Sequence, residues 1–326
     1  MPRRSRGVPA PSAVGLCLAL AAGCGKNGGT APDAGLGSGN LTSATAVANG
    51  PTFALPLDAA PGPDGTEIYF TGLQPGPNLG SPGIFKVAAA GGIPTALAVG
   101  GDIGAPLGIA VSSDGSTLYV ADPAFATASD KGAIFTVSTA GGMPSALAET
   151  SDYVPRSLAV SKVGGSDNLY FIGEDKTDGA TGIFKDASNA VTPVITGNAA
   201  GDPQAVAAWT DGTLYFVDAG GTVQKIAAGG STATPLGGAA HDLAISFPAG
   251  IEVSQDGRFV LVPVTDPITR TQSIARIDVA SGDVAQYALG LFGNSEAGGI
   301  HRAASKDVYA FVDTGAGSTG TVYLLK

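Results

Sequence analysis

The feature that most limits the fold is a short segment that returns six times: a polar turn followed by an apolar run with an aromatic near its centre. It reads DGTEIYFTG from Asp64, DGSTLYVAD from Asp114, SDNLYFIGED from Ser166, DGTLYFVDAGG from Asp211, DGRFVLVPVTD from Asp256 and KDVYAFVDTG from Lys306. Anchored on Tyr69, Tyr119, Tyr170, Tyr215, Leu261 and Tyr309, the copies lie 50, 51, 45, 46 and 48 residues apart. Asp-Gly makes the turn, because glycine takes positive φ freely and aspartate bonds the backbone two residues on. One such unit cannot bury its own apolar face, so the units must pack on one another. A period of about 48 residues is in the range of propeller blades.

Each unit reads as four strands. Strand a precedes the turn: LGIAVS at Leu107, RSLAVS at Arg156, QAVAAW at Gln204, AGIEVS at Ala249 and GGIHRA at Gly298. Strand b is the aromatic run. Strand c is GIFKVA at Gly83, AIFTVS at Ala133, GIFKDA at Gly182, TVQKIA at Thr222, SIARID at Ser273 and TVYLLK at Thr321. Strand d is weaker, as in PTALAVG at Pro94 and PSALAET at Pro144. The last unit stops after strand c, while LTSATAVANG at Leu41 has strand-d character and no unit of its own. Pairing the two closes a ring and removes two open sheet edges. The expected fold is all-β: one six-bladed β-propeller over residues 41–326, with four-stranded antiparallel blades and an N-terminal strand completing the last blade. The 50 glycines and 22 prolines accord with this, because the 44% hydrophobic residues come in short alternating runs and not in a disordered pattern.

Residues 1–23 read as an address. Three arginines precede an apolar run from Ala13 to Ala22, which is too short to span a bilayer and has the form of a secretory signal. It ends in LAAGC, which resembles the bacterial lipoprotein signal, and that resemblance implies lipidation at Cys24. With Cys17 removed and Cys24 modified, no thiol would remain for a disulfide. Loss of Arg3, Arg4 and Arg6 takes the net charge from −10 to −13. Gly25 follows the cysteine, and the absence of aspartate there resembles the outer-membrane sorting pattern of Gram-negative cells. Residues 24–40 then form a Gly-rich tether. The expected product is exported and lipid-anchored in the cell envelope, at the outer membrane, and monomeric. Nucleic acid is excluded as a partner by the acidic balance and the lack of a basic stripe.

The blades also carry family likenesses. PDGTEIYFTG…GIFKVAAAGGIPTAL resembles a TolB-type blade, PLGIAVSSDGSTLYVAD resembles an NHL repeat, and GTLYFVDAGGTVQKIAAGGSTATPL is similar to a YWTD blade. The resemblance implies the six-bladed fold. It does not choose among binding scaffolds, receptor modules, lactonases and lyases.

Two places could hold chemistry. The ends of strand b carry Asp122, Glu174 with Asp175, Asp218, Asp266 and Asp313, on the face where strand a begins with Arg156 among others. Such a rim could take a cation or cationic ligand, Ca²⁺ or another divalent ion, since clustered carboxylates repel until one binds. Alternatively, each acid accepts hydrogen bonds from its own b–c turn. The second place is strand a itself, where Ala110, Ala159 and Ala207 give way to Glu252 in blade five and His301 in blade six. That pair could do acid–base work or could simply tie two blades together. His241 reads as a surface loop residue and Trp209 as packing. No motif calls for a cofactor. The two resulting expectations are an envelope scaffold that recognises a protein, glycan or small ligand through long b–c loops, and a metal-dependent lactonase- or lyase-like enzyme with an axial site.

Overall fold

The structure is a computed structural model that describes residues 39–326 apart from 77–79, 127–129, 164, 248, 267, 270, 288–296 and 316–319. The signal segment, Cys24 and most of the tether lie outside the described residues.

Six four-stranded antiparallel sheets follow one another along the chain. Blade one holds Ala59–Pro61, Glu67–Gln74, Ser81–Ala88 and Thr95–Val99 as strands a to d. Blades two to five repeat this order. Blade six takes strands a to c from Ala297–Arg302, Tyr309–Asp313 and Thr321–Leu325, and its outer strand is Ala44–Asn49. That strand runs antiparallel to strand c, from Ala44 opposite Leu325 to Asn49 opposite Thr321. The junction is extended by Thr42 and Ser43, whose N–H groups donate to the Lys326 carbonyl at 2.6 and 2.9 Å. The ring is therefore closed by the N-terminal strand, as the split last unit predicts.

The a–b turns show why Asp-Gly recurs. Asp64, Asp114, Asp211 and Asp256 each accept the N–H of the residue two places on, at 2.7–3.0 Å. Gly65, Gly115, Gly212 and Gly257 follow with φ between +67° and +91°, a region closed to most side chains. Ser112 and Ser116 donate to Asp114 as well and hold its carboxyl low, at about 2.

The core lies between neighbouring blades. The strand-b anchors Tyr69, Tyr119, Tyr170, Tyr215 and Leu261 pack toward the next blade, while the residue after each, such as Phe70 or Phe216, packs toward the previous one. Blade six corrects the anchor. Tyr309 packs with Leu261 toward blade five. Its neighbour Ala310 packs with Val312 toward blade one and is paired with His301. KDVYAFVD has one more residue between its tyrosine and its aspartate than DGTLYFVD has, so the tyrosine faces the opposite way.

Candidate axial site

Strand a is the innermost strand of each blade, so its side chains meet around the axis. In register, His301 lies opposite Ala310 and Glu252 opposite Leu261, which makes them equivalent to Ala60, Ala110, Ala159 and Ala207. Four small residues thus leave space, and two titratable ones fill it from blades five and six. The two are brought together, with His301 Nδ1 3.6 Å from Glu252 Oε2.

A third member comes from blade one. Asp58, just before Ala59–Pro61, places Oδ2 3.1 Å from His301 Nε2. Its other bonds are to backbone: Oδ1 accepts the Ala59 N–H at 2.8 Å, and Oδ2 accepts the Ile109 N–H of blade two at 2.9 Å. One carboxylate therefore joins blades six, one and two. Glu252 is held similarly, by the Val253 N–H on Oε1 at 2.7 Å and the Arg302 N–H on Oε2 at 3.0 Å. Arg302 returns a bond from Nε to the Val253 carbonyl at 2.9 Å. Gly299 makes room for the arrangement, since a Cβ there would fall 1.7 Å from Asp58 Oδ1.

The side chains of His301, Asp58 and Glu252 are 13%, 8% and 14% exposed. Burial opposes a charged imidazole, but the Asp58 and Glu252 carboxylates outweigh it and push the His301 pKa up to about 10. The imidazole is hydrogen-bonded to Asp58 through Nε2, and both carboxylates also accept backbone N–H groups.

A cavity of about 130 Å³ lies beside the cluster, lined by Glu252, His301 and Arg302 together with Ser113, Ser161 and Thr210. The last three belong to the ends of strand a and the turns that follow. The cavity thus sits toward the a–b turns, at the end of the axis opposite the strand-b acids, and neither those acids nor Arg156 line it.

All the strand-b acids but Glu174 are engaged where they stand. Asp122 accepts the N–H groups of Ala105 and Ala124 on Oδ1 and of Gly104 on Oδ2, all at 2.8 Å. Its burial raises its pKa while these donors pull it down. Asp218 accepts from the N–H groups of Gly220 and Thr222 and from the Gln224 side chain, each at 3.0 Å. Asp266 accepts from Ile268 and Thr269, whose N–H groups lower its pKa. Asp313 accepts from Gly315 at 2.9 Å. Glu174 is exposed, opposite Thr181 in its sheet, and the neighbouring Asp175 accepts from Thr177 at 2.8 Å. Arg156 falls at a bulge between Pro155 and Ser157, with Nη2 buried and unpaired. Among the described residues, no group of three His, Cys, Asp or Glu gathers closely enough to hold a metal ion. His241 is exposed and bonded to Asp242 at 2.8 Å, and Trp209 packs against the core between blades four and five.

No family model and no curated protein sequence matches the chain. Solved structures do resemble it. A putative TolB from Agrobacterium tumefaciens has a TM-score of 0.53 at 15% identity, over 83% of this chain and 90% of its own. TolB from Acinetobacter baumannii has a TM-score of 0.51 at 12% identity over 70% of this chain, which spans only 55% of that protein. An oligogalacturonate lyase in complex with manganese has a TM-score of 0.55 at 11% identity, over 88% of this chain and 95% of its own. The shared property is the fold. It is a propeller with TolB-like neighbours.

Proposed function

We propose that the chain is an exported lipoprotein of the bacterial cell envelope, anchored through Cys24, whose propeller works as a recognition scaffold. The observation that carries this reading is the state of the axial cluster. His301 lies between Asp58 and Glu252, and these two carboxylates accept N–H groups from blades two and six, so the cluster ties the ring together. Recognition then belongs to the loops at the ends of strand b, where Glu174 is exposed. The N-terminal signal supports an envelope location, and no helix of the described residues is long and apolar enough to cross a membrane.

A second reading, a metal-dependent lactonase- or lyase-like enzyme, is favoured by one observation. Glu252 and His301 line a cavity, and a manganese-bound lyase shares the fold.

Two measurements test the proposal. In fractionated cells the protein is expected with the membranes and Cys24→Ser in the soluble fraction; identical distribution overturns the anchoring. A photo-cross-linker at Thr177, beside the strand-b end of blade three, is expected to capture a discrete envelope species, and to do so equally in Glu252→Gln. Turnover of uronide oligosaccharides or lactones by the purified protein, lost in Glu252→Gln, would establish the enzyme instead.

A further inference from the structure

Strand c has one position that is apolar in five blades. Val87 faces Ile68, Val137 faces Leu118, Ile226 faces Leu214, Ile277 faces Val260 and Leu325 faces Tyr309. None of the five strand-c residues is more than 3% exposed. In blade three the same place, opposite Leu169, is held by Asp186. It is 8% exposed, and its Oδ1 is shut off from solvent with no hydrogen-bond donor.

Asp186 lines a cavity of about 140 Å³ between blades two and three. Glu149, from a 3₁₀ turn at Ala148–Thr150, lines the same cavity, and its charge opposes ionisation of Asp186. Asp167 and Tyr119 face the same space, as does Asn189. Asp167 accepts the Ser113 N–H on Oδ2 at 3.0 Å, and its Oδ1 is likewise buried without a donor. Asp167 stands opposite Lys162 in its sheet, whereas among the described side chains no ion pair involves Asp186 or Glu149.

A carboxylate at a core position is costly unless its charge is matched, and a second carboxylate beside it makes matters worse. A missing positive charge would resolve both. The polar groups around the cavity offer oxygen, without thiol or imidazole, which suits a hard cation. Two carboxylates lining one cavity would match the two charges of such an ion.

We propose that this interblade cavity is a site for a hard divalent cation of the calcium type, held by the Asp186 and Glu149 carboxylates. Neutral oxygens, with Asn189 the nearest candidate among the lining side chains, and water complete its shell. With only two charged ligands the site belongs to the weak class, with Kd on the order of 10⁻⁴–10⁻³ M. The ion would bridge blade two to blade three.

The test is calorimetric titration of CaCl₂ into chelator-treated full-length protein near neutral pH, paired with thermal unfolding. One ion per chain is expected, with a rise in Tm at saturation. Glu149→Gln is expected to weaken binding by roughly tenfold or more. Asp186→Val installs the residue that blades one and two carry at this position, so it keeps the fold, and it is expected to abolish binding. No uptake at about 10 mM Ca²⁺, far above the expected Kd, overturns the proposal. So does calcium binding by Asp186→Val that matches the wild type.

Discussion

His301 Nε2 and Asp58 Oδ2 stand 3.1 Å apart across 243 residues of sequence, joining the sixth blade to the first at the axis. The pair is buried, and each member depends on the other. Asp58→Asn removes the charge that balances the imidazolium and turns one of the two oxygens that accept the Ala59 and Ile109 N–H groups into an NH2 donor. Loss of one partner of a buried ion pair costs about 3–5 kcal/mol. Denaturant unfolding at neutral pH should show a loss of that order, with the m-value unchanged.

The same pair sets a pH dependence whose sign is fixed. The His301 pKa is raised from 6.5 in the unfolded chain to about 10 in the folded one. Its contribution is fully present below the unfolded value and is lost as pH rises through about 10. Wild-type stability should therefore decline between neutral pH and pH 10. In His301→Gln that decline should be shallower, as read from urea unfolding at a series of pH values.

Removing residues 41–50 deletes the outer strand of blade six and exposes the edge of Thr321–Leu325. The lost strand carries a handful of backbone hydrogen bonds at about 0.5–1.5 kcal/mol each and the buried Val47 and Ala48. The truncated protein should melt several degrees lower, and its open edge should promote association, visible in light scattering.

Asp186 carries a stability prediction of its own, separate from any ligand. Its pKa rises from 3.8 to about 6 on folding, so its ionised form disfavours the native state above pH 6. The effect disappears below the unfolded value. In the absence of divalent ions, Asp186→Val should stabilise the protein at neutral pH by roughly 1–3 kcal/mol. The gain should vanish near pH 4.

Much of the fold was legible because turn chemistry and alternation are local. Asp-Gly followed by an apolar run announces a hairpin wherever it occurs, and six spaced copies leave few ways to bury them. The ring closure was legible for the same reason, since strand c at Thr321 lacked a partner and the segment at Leu41 lacked a unit. The axial site was only half legible. Glu252 and His301 stood out as titratable residues at positions otherwise held by alanine. Asp58 did not, because its strand is three residues of alanine and proline, and the alignment of strand a began at blade two. The signal was present in LDAAPGPDG, six residues before the Asp64 turn. The strand-b acids looked like a set because they recur, but recurrence reflects a turn that every blade needs. Asp218 spends Oδ1 on that turn, while Asp122 accepts one N–H from it, at Ala124, and two from Gly104 and Ala105 ahead of strand a. Asp186 was visible within GIFKDA, beside GIFKVA at Gly83, though only the structure reveals what surrounds it.

Closure by the N-terminal strand has a consequence for the order of events in synthesis. The segment Ala44–Asn49 leaves the ribosome before any blade exists, and its partner Thr321–Leu325 leaves after all the others. Blades one to five can fold as they emerge, but the first strand must wait unpaired until the final one arrives. A chain interrupted anywhere upstream of Thr321 is left with an open ring and two free edges. Completion of the ring thus reports that synthesis has passed Thr321–Leu325, and shorter products keep exposed edges.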